Sequence, residues 1–175
     1  MDFTPSRKLK RYWRVAVLAN IKDESQPKPE GVPPDAFADF DHIETIHHIQ
    51  AALESDGHET KFLMADRTLP QTVQDYAPDI CLNIAEGLGG DAREAHVPAL
   101  LEMFGIPYTG SRVLTNAISL DKTLTKRIWR DRRLPVAPFQ EFILGDEPLR
   151  PDLKYPLFVK PAREDGSAGI EGRSV

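Results

Sequence analysis

The sequence predicts an α/β protein built on an open parallel sheet, and three observations lead to this fold class. Residues 13–18, WRVAVL, form a continuous apolar run, which is typical of a strand buried on both faces of a parallel sheet. Apolar runs then alternate with segments of helical periodicity as far as residue 133. After LPVAP, residues 134–138, only strand-like runs follow. This change of pattern predicts a domain boundary near Pro135.

The first half of the chain is expected to hold three strands and two helices. Residues 20–34 follow the first strand and are rich in Pro, Lys and Glu, so they indicate a surface loop. Between residues 38 and 55 apolar side chains recur at helical spacing, and Gly57 supplies a stop. The remaining elements are a strand at 58–65, a short helix at 71–77 and a third strand at 80–85.

The second half is expected to begin with a helix capped by Asp91. Asp91 and Glu94 have the spacing of a capping box, and Gly105 ends the apolar face that follows. Asp121 is expected to cap a later helix that runs to residue 133. The other elements expected here are a strand at 106–110, a helical segment at 111–120, and two strands at 139–144 and 156–160.

Composition and charge indicate an ordinary soluble globular protein. The chain is 41% hydrophobic with a net charge of −5, so no overall field would draw it to nucleic acid or to an anionic membrane. The arginine-rich segment 126–133 has no reader motif beside it and is expected to be a solvated helix face. Cys81 lies in an apolar run and is expected to be a buried thiol in a reducing compartment. A cytoplasmic protein is expected.

Two lysines are candidates for binding an anion, although neither common phosphate-loop motif is present. Lys160 ends an apolar run, where burying its ammonium would be costly without a partner, and the small residues 166–169 would let backbone N–H groups approach phosphate. A hairpin loop with a lysine extended to solvent explains the same residues. Lys122 would lie in the first turn of a helix, where a cation opposes the macrodipole. Surfaces tolerate such a charge, and an anion shared with Lys160 would explain both lysines.

Glu86 and Arg93 are candidates for a substrate site. In open α/β sheets, ligands bind beyond the carboxyl ends of the strands, and Glu86 follows the third strand at such an end. Arg93 is expected in the first turn of the next helix. The two residues could receive the ammonium and the carboxylate of one amino acid. The alternative is that Arg93 pairs at the surface with Asp91 or Glu94, which would contribute little.

Three segments together resemble a known family. They are NIAEGLGGDAREAHVPALLEMFGIPYTGS at 83–111, LDKTLTKRIWRDRRLPVAP at 120–138, and YPLFVKPAREDGSAGI at 155–170. They resemble, in order, the D-alanine–D-alanine ligases of the ATP-grasp superfamily. The resemblance implies a pre-ATP-grasp α/β domain at residues 1–120 and the start of the first ATP-grasp subdomain at 121–175. Residues 1–78 match only as a general α/β domain.

The resemblance also implies a chemistry: ATP phosphorylates a carboxylate, and an amine displaces the phosphate to form an amide. Lys122 and Lys160 match lysines that contact ATP phosphates in the family. The loop that folds over the triphosphate is matched by Glu164, Gly166, Ser167, Ala168 and Gly169. The Mg²⁺ ligands are expected beyond residue 175, so no catalytic residue is expected in this chain, which by itself should be inactive. The expected partner is a small amino acid or peptide, and a homodimer through the amino-terminal domain is an open alternative.

Two departures from the family pattern leave the substrate open. The Gly-Gly-x-Ser stretch after the first strand is replaced by NIKDESQPKPEG at 20–31, and the family's His-Gly-x-x-Gly-Glu-Asp-Gly is altered at 86–94. A ligase for another amino acid or peptide is therefore expected as readily as one for D-alanine. The alternative function is a non-catalytic remnant or a regulatory module of the same fold. A nucleic-acid module built on the arginine-rich helix is a third and more remote hypothesis.

Overall fold

The computed structural model describes residues 12–22, 35, 37–165 and 168–175, and it contains a three-stranded parallel sheet. The strands are β1 (Arg14–Ala19), β2 (Glu59–Met64) and β3 (Ile80–Asn83), in the spatial order β2-β1-β3. Val15 on β1 is paired with Thr60 on one side and with Ile80 on the other. The prediction of an α/β fold with an open parallel sheet is confirmed.

Five α-helices accompany the sheet in the described part of the chain. They are α1 (Ile43–Ser55), α2 (Leu69–Tyr76), α3 (His96–Phe104), α4 (Val113–Ser119) and α5 (Lys122–Asp131). All five lie within segments predicted to be helical or at their edges, although α1 begins at residue 43 and not near 38. Across these described residues, none of the helices combines the length and apolar character needed to cross a bilayer.

The central strand β1 is buried on both faces, which explains its unbroken apolar sequence. On one face, Ala16 and Leu18 pack with buried residues of α2 and α3. On the other face, Val17 and Ala19 pack with Ile46 of α1. Cys81 of β3 lies in the first of these clusters and is fully buried, and its burial raises the thiol pKa to about 12. The expectation of a buried thiol is confirmed, and the nucleophilic thiolate is strongly disfavoured there.

The two strands predicted at 139–144 and 156–160 are wrong, because no strand follows β3 in the described residues. The apolar side chains of Ile143 and Leu144 are exposed instead of lying on a sheet. Their backbone N–H groups donate to the Glu147 carboxylate at 2.8 and 3.0 Å, so a turn satisfies the donors that a ladder would have used. The strand predicted at 106–110 is reduced to a single bridge between Cys81 and Tyr108.

Of the two predicted helix caps, one is confirmed and the other is wrong. The Asp121 carboxylate accepts a hydrogen bond from the Leu124 N–H at 2.8 Å and caps α5 as expected. Asp91 caps no helix, since α3 begins at His96 after a short 3-10 helix at Arg93–Ala95. Gly87 and Gly90, which precede the 3-10 helix, have positive φ and form a turn. This turn moves the start of the helix downstream.

Candidate functional site

A cleft of about 510 Å³ lies beyond the carboxyl end of the sheet, where ligands bind in open α/β folds. Three segments of the chain form its walls. They are residues 86–91 with Arg93 after β3; Asp35, Phe37, Asp39 and Phe40 before α1; and the segment after Lys160, which contributes Pro161, Arg163, Glu164, Ala168 and Gly169. The cleft brings together the predicted substrate residues and part of the predicted ATP loop, which are distant in sequence.

Glu86 is held in the cleft by Asn20, a residue of the segment 20–34 that the sequence predicts to be a surface loop. Asn20 follows β1, and only 2% of its surface is exposed. Its side-chain oxygen accepts hydrogen bonds from the N–H groups of Glu86 and Gly87, each at 3.0 Å. The signal that could have revealed it is its position, since it is a polar residue directly after an apolar strand at the ligand-binding edge.

Gly87 makes a turn that another residue could not easily make. Its φ is +82°, and an added Cβ would lie 2.3 Å from the carbonyl oxygen of Arg93. The backbone of Gly87 therefore lies directly against that of Arg93, and the two predicted substrate residues sit on opposite ends of one close turn.

The Glu86 carboxyl has its pKa raised to about 7, chiefly by burial and then by the nearby carboxylates of Glu94 and Asp39, with further contributions from Asp165 and Asp41. Carboxylate oxygens of Glu86, Glu94 and Asp165 lie within 4.8 Å of one another. Crowded carboxylates of this kind share protons or hold a divalent cation. Within the described chain, these three residues are the ones that could hold a metal ion.

Two other carboxyl groups in this region are also affected by burial. The pKa values of Glu94 and Asp39 are raised, first by burial, although the Arg93 guanidinium acts in the opposite direction on both. One oxygen of each side chain is buried without a hydrogen-bond partner in the described structure. In both groups burial, together with the nearby Asp165 carboxylate, outweighs the attraction of Arg93 and raises the pKa.

Arg93 joins three segments of the chain. Only 13% of its side chain is exposed, and its guanidinium lies 3.2 Å from the Glu164 carboxylate and 3.7 Å from that of Asp39. It also donates to the Arg163 carbonyl oxygen at 3.4 Å. The ion pairs of Arg93 therefore differ from the expected surface pairing with Asp91 or Glu94, and Asp91 instead lies 3.6 Å from Arg163. A ligand carboxylate would have to compete with Glu164 for Arg93.

Lys122 lies in the first turn of α5 as predicted. Carbonyl groups of the segment after Lys160 accept hydrogen bonds from its side chain and from its backbone N–H. Its Nζ donates to the backbone carbonyl of Glu164, and its backbone N–H donates to that of Ala162 at 2.9 Å. Arg163 of the same segment pairs with Asp121 at 2.9 Å. The pKa of Asp121 is lowered by the Leu124 N–H and then by Arg163.

Lys160 does not have the environment that the sequence predicted. It is exposed and lies on no strand, so the cost of burying its ammonium does not arise. Gly166 and Ser167 lie outside the described residues. Ala168 and Gly169 line the cleft, and the Gly169 N–H donates to the Asp35 carboxylate at 2.6 Å. This N–H therefore already binds an anionic group, as the predicted phosphate loop requires of its backbone, but the group belongs to the chain itself.

Acidic residues outnumber basic ones on the cleft walls. The acidic residues are Asp35, Asp39, Glu86, Asp91 and Glu164, and the basic residues are Arg93 and Arg163. A polyanion entering such a cleft would be repelled unless a cation accompanied it. The lining therefore suits an ammonium group or a metal-bound anion better than a free phosphate.

The chain is similar in sequence to one uncharacterised protein and to several D-alanine–D-alanine ligases. No family model matches the chain. An uncharacterised protein of Sinorhizobium fredii is 35% identical over 172 residues, covering 90% of this chain and 49% of that protein. The D-alanine–D-alanine ligase of Geobacter sulfurreducens is 34% identical over 121 residues, covering 68% of this chain and 38% of that enzyme. That of Halorhodospira halophila is 38% identical over 124 residues, covering 70% and 39%.

Solved structures agree with the sequence relatives. The crystal structure of D-alanine–D-alanine ligase from Bacillus anthracis complexed with ATP is similar with a TM-score of 0.61 and 25% identity, over 86% of this chain and 48% of that one. A second crystal structure of the same ligase gives a TM-score of 0.63 and 26% identity, over 89% and 47%. The chain thus spans about half the length, or less, of the relatives it matches.

Proposed function

Because this chain belongs to the D-alanine–D-alanine ligase-like family, we propose that it is part of an ATP-dependent ligase that joins a carboxylate to an amine. Residues 1–120 would form the substrate side and residues 121–175 the start of the nucleotide side, in a cytoplasmic enzyme. The reaction would pass through an acyl phosphate. The chain by itself would be inactive, since the ligases that it matches are about twice its length or more.

The observation that carries this proposal is the placement of Glu86 and Arg93 on one turn at the wall of the cleft. An amino acid has an ammonium and a carboxylate, and the turn offers one group of each sign. The acidic surroundings of Glu86 favour an ammonium there, while Arg93 offers a planar pair of donors to a carboxylate. A small amino acid or peptide is therefore the proposed substrate class.

ATP and Mg²⁺ are the proposed cofactors, supported by the ATP complex of the Bacillus anthracis relative. ATP would supply the phosphoryl group that activates the substrate carboxylate. Lys122 directs its ammonium to the segment after Lys160, and an ammonium has three N–H donors, so donors remain for a phosphate. Lys160 is exposed and can turn toward the same ligand. The acidic walls fit a magnesium-bound nucleotide better than the free nucleotide.

The test is a titration of this chain with a non-hydrolysable ATP analogue, with and without Mg²⁺. Lys122→Ala and Lys160→Ala should each weaken binding roughly ten-fold or more, since each removes a charge-assisted contact. Lys154→Ala is the matched control, because Lys154 is an exposed lysine of the same region that lines no part of the cleft. Unchanged affinity in both test variants would overturn the nucleotide assignment.

A further inference from the structure

The ends of all three strands meet at one buried polar side chain, that of Asn20. The Asn20 Nδ2 donates to the Ala65 carbonyl oxygen at 2.8 Å, directly after β2. Its Oδ1 accepts from the N–H groups of Glu86 and Gly87, shortly after β3. The backbone carbonyl of Asn20 also accepts from the Asp41 N–H at 2.9 Å, just before α1. Asn20 thereby ties the turn after β3 to the ends of β1 and β2 and to the backbone just before α1.

No apolar residue could make the side-chain contacts of Asn20. The Gly87 N–H is buried, and without the Asn20 oxygen it would be left without a partner at a cost comparable to a lost hydrogen bond. An asparagine offers a donor on one branch and an acceptor on the other, which matches the Ala65 carbonyl and the two N–H groups. Position 20 therefore requires a side chain that carries both a donor and an acceptor, and a side chain of equal volume alone would not be sufficient.

The hydrogen bonds of Asn20 fix the position of Glu86 through its backbone. Two consecutive N–H groups bound to one oxygen fix the plane of the Glu86–Gly87 peptide. Gly87 then lies against the Arg93 backbone with no room for a Cβ. The orientation of the Glu86–Gly87 peptide therefore also fixes the position of the Arg93 backbone. A change at Asn20 would therefore displace both sides of the proposed substrate site.

We propose that Asn20 is the positioning residue of the cleft, which holds the Glu86–Gly87 turn so that Glu86 and Arg93 face one ligand. The identity of that ligand rests on the proposed function, whereas the positioning role does not. Asn20 itself acts through the backbone of the turn and is not placed in contact with the ligand.

The test is amide hydrogen exchange of this chain by NMR, in wild type, Asn20→Leu and Asn20→Asp. The leucine variant removes both hydrogen bonds to the turn, and the Gly87 and Glu86 amides should exchange about ten-fold or more faster. The aspartate variant keeps an oxygen acceptor, so those amides should stay within about three-fold of wild type, even though the donor to Ala65 is lost.

The matched control is Val73→Ala, a buried substitution on α2 whose loss of stability speeds exchange throughout the core. The proposal is overturned if Asn20→Leu speeds exchange at Glu86 and Gly87 no more than Val73→Ala does at equal global stability. If the leucine variant does not fold, the aspartate variant decides: exchange at Gly87 as fast as in a fully exposed amide overturns the proposal.

A parallel titration with D-alanine separates this inference from the proposed function. In wild type, D-alanine should shift the Glu86 and Arg93 resonances, and in Asn20→Leu the response should be lost. If wild type gives no response but the exchange pattern holds, the amino-acid assignment fails and the positioning role stands. If D-alanine shifts the leucine variant as it does wild type, the positioning role is overturned.

Discussion

The guanidinium of Arg93 lies 3.2 Å from the carboxylate of Glu164, and this pair joins the turn after β3 to the segment that follows Lys160. In the resemblance to the ligases, Arg93 falls on the substrate side and Glu164 on the nucleotide loop. A single ion pair thus links the two sides of the proposed site. Because half of the Glu164 side chain is exposed, solvent screens the pair and its strength is modest.

The first prediction concerns competition for Arg93. Glu164→Gln should remove one of the two ion pairs of Arg93 and tighten D-alanine binding by up to about five-fold, since an exposed pair contributes at most roughly 1 kcal/mol. Arg93→Lys keeps the charge but loses the planar fork, and it should weaken binding roughly ten-fold. Isothermal titration calorimetry measures both. Glu171→Gln is the control, because Glu171 pairs with Arg173 outside the cleft. Equal affinities in wild type and Arg93→Lys would remove Arg93 from the site.

The second prediction is a pH dependence that comes from Glu86. Its folded pKa of about 7 exceeds the ordinary value of 4.5. The folded protein therefore holds this proton more tightly than the unfolded chain, and stability should fall as the pH rises from about 4.5 to about 7. The loss assigned to Glu86 should be about 2 kcal/mol, which is less than the full shift would give because solvent partly screens this half-buried group.

Urea unfolding across this pH range, in wild type and Glu86→Gln, measures that loss. The glutamine stays neutral, so the variant should become the more stable protein toward pH 7 and above, while the two converge below about pH 4.5. Glu94 and Asp39 also have raised pKa values, so some pH dependence should remain in the variant. A constant difference between the two proteins at all pH values would contradict the assignment.

The third prediction compares two glycines of one turn. Gly87→Ala should destabilise the fold by about 2–4 kcal/mol, because φ is +82° and the new Cβ would lie 2.3 Å from a backbone oxygen that cannot move aside alone. Gly89→Ala is the matched control, since a Cβ added there would have no atom within 4 Å and its φ is not in the left-handed region. Chemical denaturation gives both values. Equal costs at the two positions would show that the close approach to Arg93 is not a constraint.

Sequence alone was sufficient where local chemistry decides the structure. The apolar run of β1 predicted a strand buried on both faces, and Asp121 predicted the cap of α5, because each signal depends on neighbours in sequence. It was insufficient where the deciding partner is remote. The burial of Asn20 depends on Ala65, Glu86 and Gly87, which no local pattern reveals.

The failed strand prediction has the same origin. Residues 139–144 have the composition of a strand, but a strand also needs a neighbour for its ladder. In the described chain, Glu147 supplies the acceptors for residues 143–145 and the segment turns instead. Of the candidate site, the position of Glu86 at the carboxyl edge followed from the sheet rule, and that of Lys122 in the first turn of α5 followed from the Asp121 cap. The pairing of Arg93 and Lys122 with the segment after Lys160 did not follow from any local pattern.

The last prediction concerns this Glu147 turn. The Glu147 carboxylate accepts from the N–H groups of Leu144, Ile143 and Gly145 at 3.0, 2.8 and 2.9 Å, and these bonds lower its pKa to about 2. A lowered carboxyl pKa contributes stability above about pH 4.5 that is lost as the pH falls toward 2. The amide resonances of residues 143–145 should therefore titrate together with a midpoint near 2. Glu147→Gln should abolish that titration and speed exchange of the three amides, while Asp146→Asn, at an adjacent acid, should leave both unchanged. Amides that titrate near 4.5 would mean that the carboxylate does not hold the turn, and the absence of a strand at 139–144 would then need another cause.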